Sequence, residues 1–120
     1  THYDYFIAVP YRSEIAHKYA FHFKKSKRSR QHKSGLDYTK IVILDKTEYL
    51  DIKDAIIDRD EYNETMINLE RIKEEALVFV EDYINHVNGT EKLHELEFER
   101  RYKYSTLKYF HKEMGLETKE

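Results

Sequence analysis

The hydrophobic pattern changes period once along the chain. Tyr5-Phe-Ile-Ala-Val9 is a continuous apolar run closed by Pro10, the pattern of a strand buried on both faces. Between His17 and Phe23 the pattern alternates. His17, Tyr19, Phe21 and Phe23 share one face while Lys18, Ala20 and His22 share the other, which predicts a half-buried strand. Lys24 to Ser34 carries no apolar period and reads as a basic loop that Gly35 closes as a turn. Thr39 to Leu44 predicts a β-branched strand, and Glu48 to Ile52 a further short one.

Beyond that point the period is helical. Asp58 or Asp60 is placed to cap a helix, with acids suited to the positive end of its dipole. Tyr62, Met66, Leu69, Ile72, Ala76, Phe79, Val80, Tyr83, Ile84 and Val87 then form one apolar stripe. Asn88-Gly89 stops this long helix with a left-handed cap. Thr90 starts a shorter helical stretch to Tyr102, Ser105 caps a last helix that Gly115 ends, and a frayed tail follows Leu116. Strands precede helices without alternation, so the expected class is α+β, an antiparallel curved sheet with helices packed on it. The 120 residues suit one domain. The first strand opens at Tyr5 with nothing ahead to pair beside it, so an N-terminal piece of the fold is expected to precede it.

Charge sharpens this picture. The net charge is −2, but its distribution is uneven. Residues 11–40 carry nine Lys/Arg against two acids, whereas residues 41–100 carry seven against seventeen. One face is thus expected to attract a polyanion while another keeps the chain dissolved; the plain alternative is a basic loop lying over an acidic helix. No cysteine is present, which excludes a disulfide framework and thiolate metal sites and makes a reducing cytoplasm the simplest setting. No long apolar run and no signal-peptide pattern argue for membrane insertion or export.

The candidate chemistry lies between Pro10 and Gly35. Arg12, Ser13, His17 and Lys18 surround one strand-to-strand turn and are placed to enclose a phosphate. Imidazole titrates near neutral pH and can move the proton of a 2′-hydroxyl. Cations stabilise a phosphorane, and an acid must protonate the leaving oxygen. For His17, which shares a face with Tyr19 and Phe21, a hydrogen-bonded place in the core is the competing reading. His22, Lys24, Lys25, Lys27, Arg28, Ser29, Arg30, His32 and Lys33 supply charge and hydrogen bonds for RNA, and Arg100, Arg101 and Lys103 form a second basic cluster beside tyrosines. That second cluster also reads simply as the end of an amphipathic helix. Asp51, Asp54, Asp58 and Asp60 match neither a calcium loop nor a two-metal nuclease and are read as capping and solvation; no metal or other cofactor is expected. Three glycines leave no phosphate-binding loop, and no nucleophile elbow is present.

Phe6-Ile-Ala-Val-Pro-Tyr-Arg-Ser13, His17-Lys18, a following strand, Tyr49-Leu-Asp-Ile-Lys-Asp-Ala-Ile-Ile57 and a long helix together resemble the ToxN-like toxins, in particular their TenpN branch. These are endoribonucleases of type III toxin–antitoxin systems. The resemblance spans about residues 5–110. It implies a compact, strongly curved antiparallel sheet with helices against it, and metal-independent RNA cleavage that leaves 2′,3′-cyclic phosphate ends. It also implies inhibition by a repeated, pseudoknotted RNA antitoxin, which the toxin cuts from a precursor and joins in a closed ring. The family's hydroxyl-bearing turn falls on Ser13, with Arg12 where threonine is common, and its nearby basic position falls on His17 or Lys18. The chain departs from the pattern in carrying Glu14 and Ile15 where a second proline is usual, and in lacking a strand ahead of Tyr5. The expected function is therefore a sequence-selective endoribonuclease toxin. The alternatives are a non-catalytic RNA-binding module using residues 12–33, and a protein-interaction domain working through the acidic helix.

Overall fold

The structure, a computed structural model, describes residues 5–45 and 59–116. Small antiparallel sheets occupy the first part of the chain, with one short helix among their strands, and the longer helices follow, so the class is α+β. Strand β1 (Tyr5–Ala8) pairs antiparallel with β5 (Val42–Asp45), Phe6 opposite Leu44 and Ala8 opposite Val42. Strands β2 (Tyr11–Arg12), β3 (Ala20–His22) and β4 (Gly35–Asp37) form the second sheet, with β4 in the middle. Among the described residues, then, two small sheets stand where the pattern predicted one. β1 is not buried on both faces either: Phe6 is 41% exposed, because a two-stranded ribbon leaves one face uncovered.

The alternating run at His17 becomes a strand only from Ala20. The Tyr19 N–H donates to the ring Nδ1 of His17 at 3.1 Å, and a side chain bonded to local backbone competes with a ladder. Lys24–Ser34 is not a plain loop. It contains a six-residue helix, α1 (Lys27–His32), capped by Ser26, whose Oγ accepts the Ser29 N–H at 2.9 Å. Gly35 does not form a turn but lies within β4, opposite Arg12 on one side and His22 on the other. A Cβ there would run into the Phe21 carbonyl. Before β5, Tyr38–Lys40 forms a 3₁₀ turn rather than strand, because the Asp37 carboxylate caps the Thr39 N–H.

The long helix is divided at Asn68 into α2 (Arg59–Ile67) and α3 (Leu69–Asn88). The backbone leaves helical values there (φ −104, ψ 19), and the Glu64 carbonyl accepts both the Asn68 side chain at 2.8 Å and the Asn68 N–H at 3.2 Å. In α3 the expected stripe is buried as Ile72, Ala76, Phe79, Val80 and Tyr83, and Gly89 ends it at φ 81. In α2 the expectation fails. Tyr62 and Met66 are exposed, while Glu61 and Glu64 are buried because they meet donors of the basic segment. The stretch after Thr90 becomes helical only at α4 (Glu95–Tyr102), where the ring Nδ1 of His94 caps the Leu96 N–H. Ser105 caps a final 3₁₀ turn at Thr106–Tyr109, and Gly115 closes the turns after it at φ 76. The strand expected at Glu48–Ile52, and Asp51, Asp54 and Asp58, lie outside the described residues.

One core joins these parts. Phe21, Phe23, Leu36, Tyr38, Ile41 and Ile43 from the sheet side pack with the α3 stripe, Tyr102, Leu107, Met114 and Leu116. Phe79 and Tyr102 lie 4.7 Å apart between ring centroids, and Tyr83 and Tyr102 5.2 Å, aromatic pairs worth about 0.5–1.5 kcal/mol each beyond burial. Among the described residues no helix is long and apolar enough to cross a membrane.

Candidate functional site

The turn after β2 is stitched to the end of α1. The Glu14 N–H donates to the His32 carbonyl, and the Ile15 N–H to the Lys33 carbonyl at 3.1 Å. Ile15 is buried and pins the turn from below, while Glu14 takes a left-handed φ of 57, an unusual backbone for a side chain with a Cβ. The Asp37 N–H donates to the Pro10 carbonyl at 3.1 Å, which brings the end of β4 beneath the same turn. A cavity of about 190 Å³ results, lined by residues 12–17 together with Asp37, Thr39, Lys40 and Tyr104.

Asp37 is its centre. The carboxylate is buried, and its Oδ1 accepts the Thr39 hydroxyl at 2.6 Å and the Thr39 N–H at 2.9 Å. His17 Nε2 stands 3.2 Å from the same oxygen and 3.5 Å from Thr39 Oγ1. On the other side Arg12 Nε lies 3.6 Å from Oδ2. Because Nδ1 of His17 accepts the Tyr19 N–H, the ring carries its proton on Nε2, toward Asp37 and Thr39. Both nitrogens of His17 are therefore occupied. Lys40 Nζ donates to the Tyr104 carbonyl at 2.9 Å, which brings the segment after α4 to the cavity rim.

A second, larger depression of about 730 Å³ adjoins the first, and Ala16 and His17 line both. Lys18, Lys24, Lys25 and Arg71 give it a positive lining, and His22 stands among them. Glu64 is the one acid among its described lining residues, and its carboxylate accepts the N–H groups of Lys24 and Lys25 at 3.1 Å. His22 is fixed by an Nε2 bond to the His17 carbonyl at 2.8 Å.

Arg12, Ser13 and His17 thus meet in one cavity, and Lys18 stands next door. His22, Lys24 and Lys25 join Lys18, whereas Lys27, Arg30, His32 and Lys33 are exposed on and beside α1, which also contains Arg28. His32 Nδ1 pairs with Glu14 Oε2 at 2.9 Å. Ser29 does not face an RNA surface. It is 6% exposed, and its hydroxyl donates to the Ser26 carbonyl at 2.8 Å inside the α1 cap. The C-terminal cluster is largely neutralised. Arg100 pairs with Glu97 at 3.3 Å, and Arg101 bonds both Asp82 and Glu97 at 2.9 Å. The Arg101 hydrogen bond holds the Glu97 carboxyl below its usual range, with Arg100 and Lys18 adding to the effect. Lys103 stays exposed over the Tyr104 ring.

Asp37, Thr39, Lys40, Tyr104 and Arg71 were not legible as site residues. Asp37-x-Thr39 is a common local cap, and the other three reach the site only by folding. Among the described residues no three His, Asp or Glu side chains are grouped to hold a metal ion. No protein-family model, no curated protein and no solved structure matches the chain, so its functional reading rests on this cavity, on the basic basin beside it and on the sequence.

Proposed function

We propose that the chain is a metal-independent endoribonuclease that cleaves by attack of the RNA 2′-hydroxyl. The observation that carries this reading is the convergence of Arg12, Ser13, His17 and Lys40 around Asp37 in a cavity that runs into a basin lined by cations. Transesterification needs a proton acceptor, charge stabilisation at phosphorus and a proton for the leaving oxygen. The Nδ1 lone pair of His17 is already taken by the Tyr19 N–H, so the proton acceptor is the Asp37 carboxylate, with His17 and Thr39 setting its orientation. Arg12 and Ser13 contact the non-bridging oxygens, and Lys40 supplies the proton to the departing 5′-oxygen. The resemblance of about residues 5–110 to the ToxN-like toxins supplies a biological setting, a toxin of a type III toxin–antitoxin system acting in the cytoplasm and held by a structured RNA that it processes.

One observation favours a second reading, a non-catalytic RNA-binding module: neither nitrogen of His17 is open to a substrate. Incubation of the protein with mixed RNA in EDTA separates the two. Discrete products with 2′,3′-cyclic phosphate ends, slowed about 10²–10⁴-fold by Asp37→Asn, are expected for the enzyme. Intact RNA, retained at low salt and released at high salt, would establish the binding module instead.

A further inference from the structure

The basic basin contains a cation whose setting differs from that of its neighbours. Arg71, on the first turn of α3, stands with its guanidinium carbon 5.1 Å from the centroid of the Phe21 ring. Its Nε donates to Glu75 Oε2 at 2.9 Å, and the other oxygen of Glu75 accepts the buried Tyr38 hydroxyl at 2.7 Å. The chain Tyr38–Glu75–Arg71 ties the guanidinium to the core, while its side chain remains 64% exposed. Among the described residues, its two terminal NH₂ groups have no hydrogen-bond partner. A guanidinium fixed through Nε and one ring face, with its fork open, loses little freedom on binding and matches a phosphate bidentately. Of the basin's lysines, Lys18 lies 5.7 Å from the centroid of the Tyr19 ring, but among the described residues none is also held by a side-chain hydrogen bond as Arg71 is. Glu64 does not neutralise the basin fully, because its single charge stands against Lys18, Lys24, Lys25 and Arg71.

We propose that Arg71 anchors a second RNA subsite, gripping a phosphodiester that flanks the scissile one, and that its occupant is single-stranded RNA. The inference rests on the ribonuclease reading of the adjoining cavity and adds to it a residue, a ligand group and a strand state. Single-stranded RNA is required on chemical grounds. Attack by a 2′-oxygen needs it in line with the departing 5′-oxygen, a geometry that the A-form duplex withholds and a splayed strand reaches freely. His17 lines both depressions, so a strand with one phosphate at Arg71 continues past the imidazole into the cavity around Asp37. Lys18 and Lys24 neutralise the same stretch of backbone.

The test uses the full chain and a fluorescent oligoribonucleotide methylated at every 2′-oxygen, which binds but cannot be cut, offered single-stranded and annealed to its complement. Wild type is expected to prefer the single strand. Arg71→Ala is expected to weaken that binding about tenfold and to lower the slope of log affinity against log salt by about one. Arg71→Lys is expected to restore the slope but only part of the affinity, since charge returns without the fork. Circular dichroism verifies that each variant is folded; if Arg71→Ala is not, the lysine variant alone decides, by its affinity loss at unchanged slope. Arg71 variants that bind like wild type would overturn the subsite while leaving the cavity reading in place. Tighter binding of the duplex would overturn the strand assignment. A wild-type protein that binds neither form at low salt would remove both the subsite and the ribonuclease reading.

Discussion

Gly35 lies between Arg12 and His22 in the middle of the three-stranded sheet, and only the absence of a side chain lets the Phe21 carbonyl come close. Gly35→Ala is expected to lower stability by about 1–3 kcal/mol, as overpacking does, and to weaken the proposed RNA binding because the strands bearing Arg12 and His22 part. A shift in the urea midpoint at unchanged slope checks the first effect, and wild-type stability in the variant would show that the strands accommodate a methyl group. The sequence marked Gly35 as special but assigned it the wrong reason, a turn, because glycine signals a backbone need without saying which. Asp37 escaped notice altogether. Its role comes from Arg12 and His17, distant by 25 and 20 positions in the sequence.

At the scale of elements, α2 and α3 make opposite cases. The stripe of α3 was legible because its apolar residues meet an apolar core. In α2 the carboxylates turn inward instead, Glu64 to the N–H groups of Lys24 and Lys25, Glu61 to the hydroxyls of Ser26 and Ser34. No periodicity announces a polar interface of this kind. It fixes the basic segment against the helices and so shapes the basin. Glu64→Ala is expected to cost about 1–3 kcal/mol, the penalty for amides left without an acceptor, and to raise hydrogen exchange selectively at Lys24 and Lys25. Unchanged exchange at those two amides would mean that the segment is held in place by other contacts. The short helix α1 was missed for a related reason: it depends on Ser26 and buried hydroxyls, and its exposed residues are uniformly basic and polar.

The whole molecule is held together by an aromatic core with phenol groups inside it, and this gives a pH dependence. Burial pushes the Tyr38, Tyr83 and Tyr102 hydroxyls up, Tyr102 to about 12, and the Glu75 hydrogen bond raises Tyr38 further. The unfolded chain releases these protons at about pH 10, whereas the folded chain retains them. The associated stability is therefore complete below about pH 10 and is lost as pH rises toward the raised values. Phenolate absorbance from these tyrosines is expected to appear together with the loss of circular dichroism, and ionisation well before unfolding would contradict this. Tyr102→Phe is expected to flatten the alkaline limb while costing about 1 kcal/mol at neutral pH, since its hydroxyl no longer reaches the Phe79 carbonyl.

By itself the sequence determined the features that local chemistry dictates: the α+β class, the apolar face of α3, the left-handed cap at Gly89, the capping role of Ser105, and a basic segment rich in groups suited to RNA. These depend on spacing, propensity and charge, which a linear pattern displays. Only the tertiary structure decided which residues share a cavity, that Asp37 engages Arg12 and His17, that Arg101 is paired with two carboxylates while Arg71 is paired through Nε with Glu75 alone, and that two glutamates of α2 face inward. Each of these is a contact between segments far apart in the chain, and its energy depends on burial and distance, quantities that exist only once the chain has folded.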